Sequence, residues 1–371
     1  MNASRVYTEE DFINDKLANR SSEMRENADV FLDGVLKISE ESLKYLDGRS
    51  ANSFEKIRIT PKLTISLAKE ILTDINPELT KLFDDYYNDG KILIFPSRKK
   101  GRLRDKYLKK GKIFEASCLT QDGYNVCCGS QLDDVLVVCP LNGDISDVIY
   151  MVHEIIHLYS RFNSFSEGYF VFDHKNSCLT EMPSIYFERY AVDYLVNKGF
   201  DRNTLLDIYY GRLINDSLSS VFYLEELDVL NSYNKNGHVS LNNVMRDERL
   251  VKITDNLLGI ASKYRGVNAK YIDLLNATGD ILKTGDRRAW LTRWMASADV
   301  VNSLSAFKYI LGHSYTNSLN HDRVTMNAVL DVSHDVSLPV FEVSDGVLLT
   351  KVNGLVKSRE KQKVLNKSVK Y

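Results

Sequence analysis

The sequence feature that most constrains this chain is the string His153-Glu-Ile-Ile-His157. In a helix, residues four apart lie on one face, so both imidazoles of the string can reach a single ion while Glu154 stands beside them. These residue types at this spacing predict a zinc site with a base next to it.

The segment around the string, residues 144–160, has the features of a rigid helix. Asp144 or Ser146 can cap its start, and Asp147 places a negative charge in the first turn. Neither Gly nor Pro interrupts the segment. The metal-binding side chains are therefore expected on a rigid element.

The alternative interpretation is an accidental string on a solvated helix face. Against it, the neighbouring residues are apolar and mostly β-branched, as in a buried helix: Val148, Ile149, Val152, Ile155, Ile156 and Leu158. Burying two His and a Glu without a partner costs on the order of several kcal/mol, whereas a bound cation satisfies all three. We therefore favour the metal site.

Length and composition limit the partners and the cellular compartment expected for this chain. The 371 residues can bury a large core, and a formal net charge of -2 does not indicate a nucleic-acid partner. The amino terminus lacks the apolar core of a secretory signal, and no apolar run is long enough to cross a bilayer. Five cysteines form neither an even disulfide framework nor paired Cys-x-x-Cys knuckles, which favours a reducing compartment. We predict a soluble cytoplasmic protein that binds neither nucleic acid nor membranes, and the oligomeric state stays open.

The chain is predicted to be mainly α-helical with a small antiparallel β-sheet. We expect a helical region at 1–89, a domain with the metal helix at 90–330, and a β-hairpin with a basic tail at 331–371. Four short β-rich runs predict a largely antiparallel sheet, one edge of which can pair with an extended peptide: residues 91–95, 113–118, 124–128 and 135–139.

Several helix boundaries are also marked. Pro61 and Asn76-Pro77 indicate two helix starts. After the metal helix, a second helix is expected from about Thr180, with Pro183 in its first turn and Gly199 closing it. Further helices are predicted at 203–230 and 244–320, and a hairpin at 340–352.

A basic run at 98–112 precedes the metal helix. It contains nine Lys and Arg residues and a single acid, Asp105. The run can attract an acidic partner, but such runs are more typical of a solvated loop.

The third zinc ligand is expected on the second helix, because a catalytic zinc usually has three protein ligands. Glu181, at the start of that helix, is the candidate. Glu188 lies nearly two turns further along the same face, where it either orients a ligand or is an ordinary surface carboxylate. His174 is a competing ligand, although a loop His followed by Lys175 is more typical of an exposed position.

These motifs together resemble a known enzyme family. The stretch Leu141–Val148 leads into the His-Glu string, and Glu181-x-Pro-Ser184 follows with Glu188. This arrangement is similar to the thimet oligopeptidase and oligoendopeptidase F family of zinc peptidases, and the similarity spans roughly 61 to 320. Weaker similarities are found in Asn76–Phe83, Gly111–Cys118 and Ala306–Gly312.

The resemblance implies a zincin-like oligopeptidase fold, shortened at the amino end, that binds one zinc ion per chain. It makes His153, His157 and Glu181 the zinc ligands and Glu154 the base that activates water. It also implies a metalloendopeptidase whose substrates are short peptides.

The chain departs from the family at two places. Ile156 stands where the family usually has Gly. The family also has a His and several Tyr residues that stabilise the tetrahedral intermediate, and residues 296–305 contain neither. Tyr309 is the main remaining candidate for this role, with Tyr315 and His313 as alternatives; losing such a donor typically costs about two to three powers of ten in rate.

Three functional hypotheses follow. The first is an endopeptidase that acts on oligopeptides. The second is a protease specific for one protein target, suggested by the small size and the basic tail. The third is a peptidase-like binding module that has lost its oxyanion donors, although the intact Glu154 argues against it because structural zinc needs no base.

Overall fold

The computed structural model describes residues 57–120, 123–128, 135–166 and 177–213, with eight isolated residues between 252 and 330. At residues 128, 161–166 and 177–182 it describes the backbone alone. The chain divides into two compact units, and residues 57–209 lie in the unit that comprises Asn52–Tyr209 and Tyr309–Tyr371. The predicted boundaries at residues 89 and 330 stay predictions.

The described part of the chain is mainly helical, as predicted. Its helices are α1 (Pro61–Ile75), α2 (Pro77–Asn88), α3 (Lys100–Lys109), α4 (Ile113–Cys118), α5 (Ser146–Ser166), α6 (Ser177–Asn197) and α7 (residues 202–213). Pro61 and Pro77 each occupy the first helical position, where the missing N–H has no intrahelical partner to lose. Thr60 caps α1 by accepting a hydrogen bond from the N–H of Leu63, and Asn76 caps α2 in the same way through Glu78.

The sheet has three strands: β1 (Ile92–Pro96), β2 (Asn125–Cys128) and β3 (Val135–Leu141). β3 lies in the centre, antiparallel to β2 and parallel to β1, with Ile92 opposite Val137. Three of the four predicted strands are confirmed, but the predicted antiparallel character is wrong because the sheet is mixed. The chain returns from β1 to β3 by a crossover that contains α3, α4 and β2, and such a connection makes two strands parallel.

The fourth predicted strand, residues 113–118, is the helix α4. Alternating apolar residues suggested a strand, yet Phe114 and Cys118 lie four residues apart, on one face of a helix. Both pack into a core cluster that also contains Leu119 and Phe95. Tertiary packing thus overrides the local pattern.

The basic run is also helical, where a loop was expected. A short 3-10 helix, Ser97–Lys99, leads directly into α3. Leu103 and Tyr107 pack against the core cluster from one side of α3 and fix the helix to the sheet. Its remaining face carries the charges.

Helix α6 starts earlier than predicted, at Ser177 rather than about Thr180. Pro183 therefore lies inside the helix and not in its first turn. The predicted end is confirmed, because Gly199 follows the helix with φ 94, a left-handed conformation that suits glycine.

The central strand separates two layers of helices. All seven residues of β3 are buried, so both faces of the strand are covered. Leu136 and Val138 on one face join the core cluster with α3 and α4. Side chains alternate along a strand, so Val137 and Cys139 point to the other face, where α5 packs. α5 in turn packs extensively on α6 and on α1.

Several predicted elements lie outside the described residues: the helices in 214–230 and nearly all of 244–320, the hairpin at 340–352, and residues 1–56. None of the described helices is long and apolar enough to cross a membrane.

Candidate metal centre

The position of α5 is fixed at its start by one carboxylate. Asp147 is fully buried and accepts hydrogen bonds from the N–H groups of Asn142, Gly143 and Asp144, at 3.0, 2.7 and 3.2 Å. The hydroxyl of Tyr124 donates to the same carboxylate at 2.8 Å. This hydrogen bonding joins the β3–α5 loop to β2 and orients the first turn of α5.

The capping role predicted for Asp144 is also observed. Its carboxylate accepts a hydrogen bond from the N–H of Ser146, the first helical residue, at 3.1 Å. Burial, together with the charge of Asp147, raises the pKa of Tyr124, so this hydroxyl keeps its proton. The Tyr124 hydroxyl therefore stays available as a donor to Asp147 at neutral pH.

The two histidines converge on the face predicted from their spacing. The Nε2 atoms of His153 and His157 lie 2.8 Å apart, and the ring planes are nearly perpendicular at 80°. Two nitrogen ligands of one tetrahedral zinc ion lie about 3.3 Å apart, given Zn–N bonds of about 2.0 Å. The observed separation is about 0.5 Å shorter than this value, so the two nitrogens lie close enough together to reach one ion.

The other nitrogen of His153 has a dedicated partner on the next helix. His153 is 4% exposed, and its Nδ1 atom contacts Oε1 of Glu188, which is 1% exposed. The interpretation of Glu188 as a surface carboxylate is therefore wrong. Its contact with His153 agrees with the alternative prediction, in which Glu188 holds either a ligand histidine or Glu181 in place, and the ligand role itself stays a prediction.

The contact with Glu188 defines the tautomer of His153. The carboxylate requires a proton on Nδ1, which leaves a lone pair on Nε2. Nε2 of His153 therefore presents a lone pair towards Nε2 of His157. The same lone pair on His153 is the one that a metal ion requires.

Glu154 adds a second buried carboxylate to the site. It is 7% exposed, and its Oε1 atom lies 4.0 Å from Nε2 of His153. On the sheet side, burial raises the pKa of the Cys139 thiol, and the charges of Glu154 and Asp147 raise it further. Cys139 thus stays a neutral thiol at neutral pH.

No known family model, curated protein or solved structure matches the chain.

The third predicted ligand lies only partly within the described residues. Glu181 belongs to the backbone of α6, seven residues before Glu188, and its side chain is outside the described set. Tyr309, Tyr315, His313 and His174 are likewise outside it. Among the side chains that the structure does describe, no three His, Cys, Asp or Glu residues form a metal-binding group. The ligand role of Glu181 stays a prediction.

Buried Arg189 links helix α6 to helix α7. Residues 183–192 of this helix are all buried. Arg189 contacts Asp193 through two nitrogens, at 3.3 and 3.2 Å, and its guanidinium group lies 5.5 Å from the ring centre of Tyr209 on α7. The neighbour of Glu188 in the sequence thus anchors the helix that presents it.

Sequence reasoning missed the supporting residues Tyr124, Cys139 and Arg189. Nothing in the local sequence distinguishes Tyr124, the residue before β2, from other tyrosines, because its partner is 23 residues away. For Arg189, the spacing of four residues to Asp193 was an available signal for an ion pair on a helix.

Ile156 is one position at which the chain departs from the family that it resembles, which usually has Gly there. It is fully buried in α5, among other apolar residues. A glycine at this position would leave unfilled space, so the larger side chain fits the packing of this helix.

Proposed function

We propose that this chain is a zinc metalloendopeptidase that hydrolyses oligopeptides, with a shortened zincin-like fold of the thimet oligopeptidase and oligoendopeptidase F type. One observation carries the proposal: two Nε2 atoms converge on one helix face, and the more buried histidine is oriented by a carboxylate from a neighbouring helix. The cytoplasm is the proposed location.

The proposed ligands are His153, His157 and Glu181. A bound zinc ion supplies electrophilic catalysis and lowers the pKa of a water ligand. Glu188 keeps the proton of His153 on Nδ1, and this leaves Nε2 available as a ligand. Since Glu188 is almost fully buried, it holds the ring in one orientation rather than sampling several.

Glu154 is the proposed general base. It follows the first histidine directly, lies next to its ring and is shielded from most of the solvent. From there its carboxylate accepts a proton from the attacking water and then delivers it to the leaving amine. Tyr309 is the proposed donor to the oxyanion of the substrate.

The test combines metal analysis with peptide hydrolysis. The wild-type protein, Glu154→Gln and the control Glu70→Gln are loaded with zinc and separated from excess metal, and bound zinc is measured for each. Each protein is then incubated with a library of quenched fluorescent peptides, with and without a chelator. Glu70 is a suitable control because it is a partly exposed carboxylate on α1 that pairs with Lys198.

We expect about one zinc ion per chain in all three proteins. Hydrolysis is expected in the wild type and the control, with a loss of about two to four powers of ten in Glu154→Gln. Unchanged turnover in Glu154→Gln would refute the role of Glu154. Stoichiometric zinc without cleavage of any peptide would instead support a protease with a single protein target or a binding module.

A further inference from the structure

A concentrated positive charge lies away from the candidate metal centre, on α3 and the turn that follows it. Two of the basic residues are paired: Arg104 with Asp105, and Lys112 with Glu115. Six others form no ion pair with any acidic group of the described chain: Arg98, Lys99, Arg102, Lys106, Lys109 and Lys110. The surface therefore presents a net positive charge to the solvent.

The stability of α3 does not account for this charge. Cations near the amino end of a helix oppose the helix dipole, and α3 has Lys99 as its cap residue and Arg102 in its first turn. That turn contains no acidic residue, and no side chain caps the helix. Lys106 and Lys109 in the last turn are favourable, but the residues at the start destabilise the helix that carries them.

Two large apolar side chains are exposed within the same surface. Leu108 is 48% exposed and Ile113 is 65% exposed. They flank the turn between α3 and α4, where Gly111 adopts φ 72 and all residues from 108 to 113 are exposed. We call residues 106–113 the basic corner: a projecting turn with two apolar side chains among lysines.

The basic corner lies on the opposite side of the sheet from the metal helix. α3 and α4 cover the face of β3 that carries Leu136 and Val138, whereas α5 covers the face that carries Cys139. The charge is therefore not placed to bind a substrate at the His153–His157 pair. It defines a second, separate surface.

We propose that the basic corner binds the surface of an anionic lipid bilayer. Lysines near an anionic leaflet are attracted to it, and apolar side chains on the same surface enter the boundary between headgroups and acyl chains. This proposal departs from the prediction of no membrane partner, which was made because the chain has no membrane-spanning run. Binding at the bilayer surface needs no such run, because it combines electrostatic attraction to anionic lipids with the burial of apolar side chains.

The apolar residues distinguish lipid from the other polyanions. Nucleic acid contacts a basic helix through phosphates and base edges, and an exposed Leu and Ile next to the phosphates would have no partner there. An acidic peptide would pair with the lysines but would leave the exposed side chain of Ile113 without an apolar partner. A bilayer satisfies both features at once.

The test measures binding of the full chain to lipid vesicles by co-sedimentation. Phosphatidylcholine vesicles are compared with vesicles that also contain about one third phosphatidylserine, at low and at physiological salt. We expect binding to the anionic vesicles alone, and weaker binding as the salt concentration rises. Single-stranded RNA and polyglutamate serve as competing polyanions.

Two double variants separate charge from apolar contact. Lys109→Gln/Lys110→Gln is expected to weaken vesicle binding about ten- to thirty-fold. Leu108→Ser/Ile113→Ser is expected to weaken it about five- to ten-fold. The matched control is Lys62→Gln/Leu63→Ser on α1, where Leu63 is 41% exposed, and it should change binding by less than about two-fold. Thermal melting of each variant confirms folding, which these exposed positions should tolerate.

The inference fails if neutral vesicles bind as well as anionic ones, or if the α1 control loses as much binding as the corner variants. It also fails if vesicles do not bind while RNA or polyglutamate does. The outcome is independent of the proposed peptidase activity, because a chain that hydrolyses nothing can still bind vesicles through this surface.

Discussion

Helix α5 and the basic corner hold their polar groups in opposite surroundings, buried in the first and exposed in the second. In the candidate metal centre, His153, Glu154 and Glu188 are all buried, and each of the two carboxylates lies within contact distance of the His153 ring. In the basic corner, the lysines face solvent and most have no charged partner in the described chain. A buried polar group requires a specific partner, whereas an exposed charge acts through the sum of its neighbours.

This difference predicts two kinds of response to mutation. Mutations in the buried region should have large effects on stability or metal affinity, and the size of each effect should depend on which atom is removed. Changes in the basic corner should be small, additive and sensitive to salt. Four further predictions test the contrast, in order of decreasing expected effect.

The largest effect on stability is expected at Asp147. Asp147→Ala removes the acceptor of three backbone N–H groups and of the Tyr124 hydroxyl. We expect the free energy of unfolding to fall by about 3 kcal/mol or more, since buried donors are left without an acceptor. Urea unfolding measures it, and Asp85→Ala, at an exposed ion pair on α2, is the control that should leave stability nearly unchanged. Equal losses in the two variants would contradict the role of Asp147.

The next effect concerns metal affinity and Glu188. Glu188→Ala is expected to weaken zinc binding by about ten- to a hundred-fold, because Nδ1 of His153 loses the group that fixes its proton. Glu188→Gln keeps an acceptor oxygen and should lose less. Competition with a chromophoric chelator gives the affinities, and Glu70→Ala serves as the surface control. If Gln and Ala weaken binding equally, Glu188 does not act through the contact of its oxygen with Nδ1 of His153.

A smaller effect is the dependence of folding stability on pH that comes from Cys139. Its pKa is raised in the folded chain by burial and by the charges of Glu154 and Asp147, above an unfolded value of about 8.5. The folded state then holds a proton that the unfolded state releases. The stabilising contribution is complete below about pH 8.5 and is lost as pH rises above it, with a slope of up to about 1.4 kcal/mol per pH unit.

The Cys139→Ala variant isolates this contribution, because alanine has no ionisable group. Urea unfolding at several pH values from 8 to 10 compares the two proteins. The difference in stability between wild type and variant should shrink as pH rises. A constant difference over this range would show that Cys139 titrates alike in the folded and unfolded chain.

The smallest effect is a gain of stability at the amino end of α3. Arg102→Glu replaces a cation in the first turn by an anion, which favours the helix dipole by about 0.3 to 1 kcal/mol. Thermal unfolding measures the gain, and Arg102→Gln should give a smaller one. The same change should weaken binding to anionic vesicles. If Arg102→Glu lowers the midpoint of thermal unfolding, the charge of Arg102 does not oppose the dipole of α3.

Much of the metal helix could be predicted from the sequence, because its determinants are local. The spacing of His153 and His157 and the acidic residues before them define a capped helix with one functional face. The strands 92–96 and 135–141 were likewise evident from β-branched residues between turn signals. Proline marked the starts of α1 and α2.

Other features depend on contacts that local patterns do not contain. Ile113–Cys118 alternates as a strand would, and only the packing of Phe114 and Cys118 on one core cluster makes it helical. The basic run has too few apolar residues to show a helical period, so α3 was expected to be a loop. The parallel pairing of β1 and β3 depends on residues 45 positions apart, Ile92 and Val137. The contact between Glu188 and His153 was predicted only as one of two alternatives, since burial decides between them.

The close spacing of the two histidines has a consequence for folding. Residues four apart meet within a single helical turn, which forms in isolated segments, whereas Glu188 reaches His153 only after a loop of about 35 residues has closed and α6 has docked. An unfolded chain that samples this one turn therefore retains part of the affinity for the proposed zinc ion. A ligand stabilises a fold only by the difference between its affinities for the folded and unfolded chain. Zinc should consequently stabilise this protein by less than its affinity for the folded state implies. The part of its affinity that does raise the midpoint of unfolding comes from groups on α6, which join the histidines only when the chain folds.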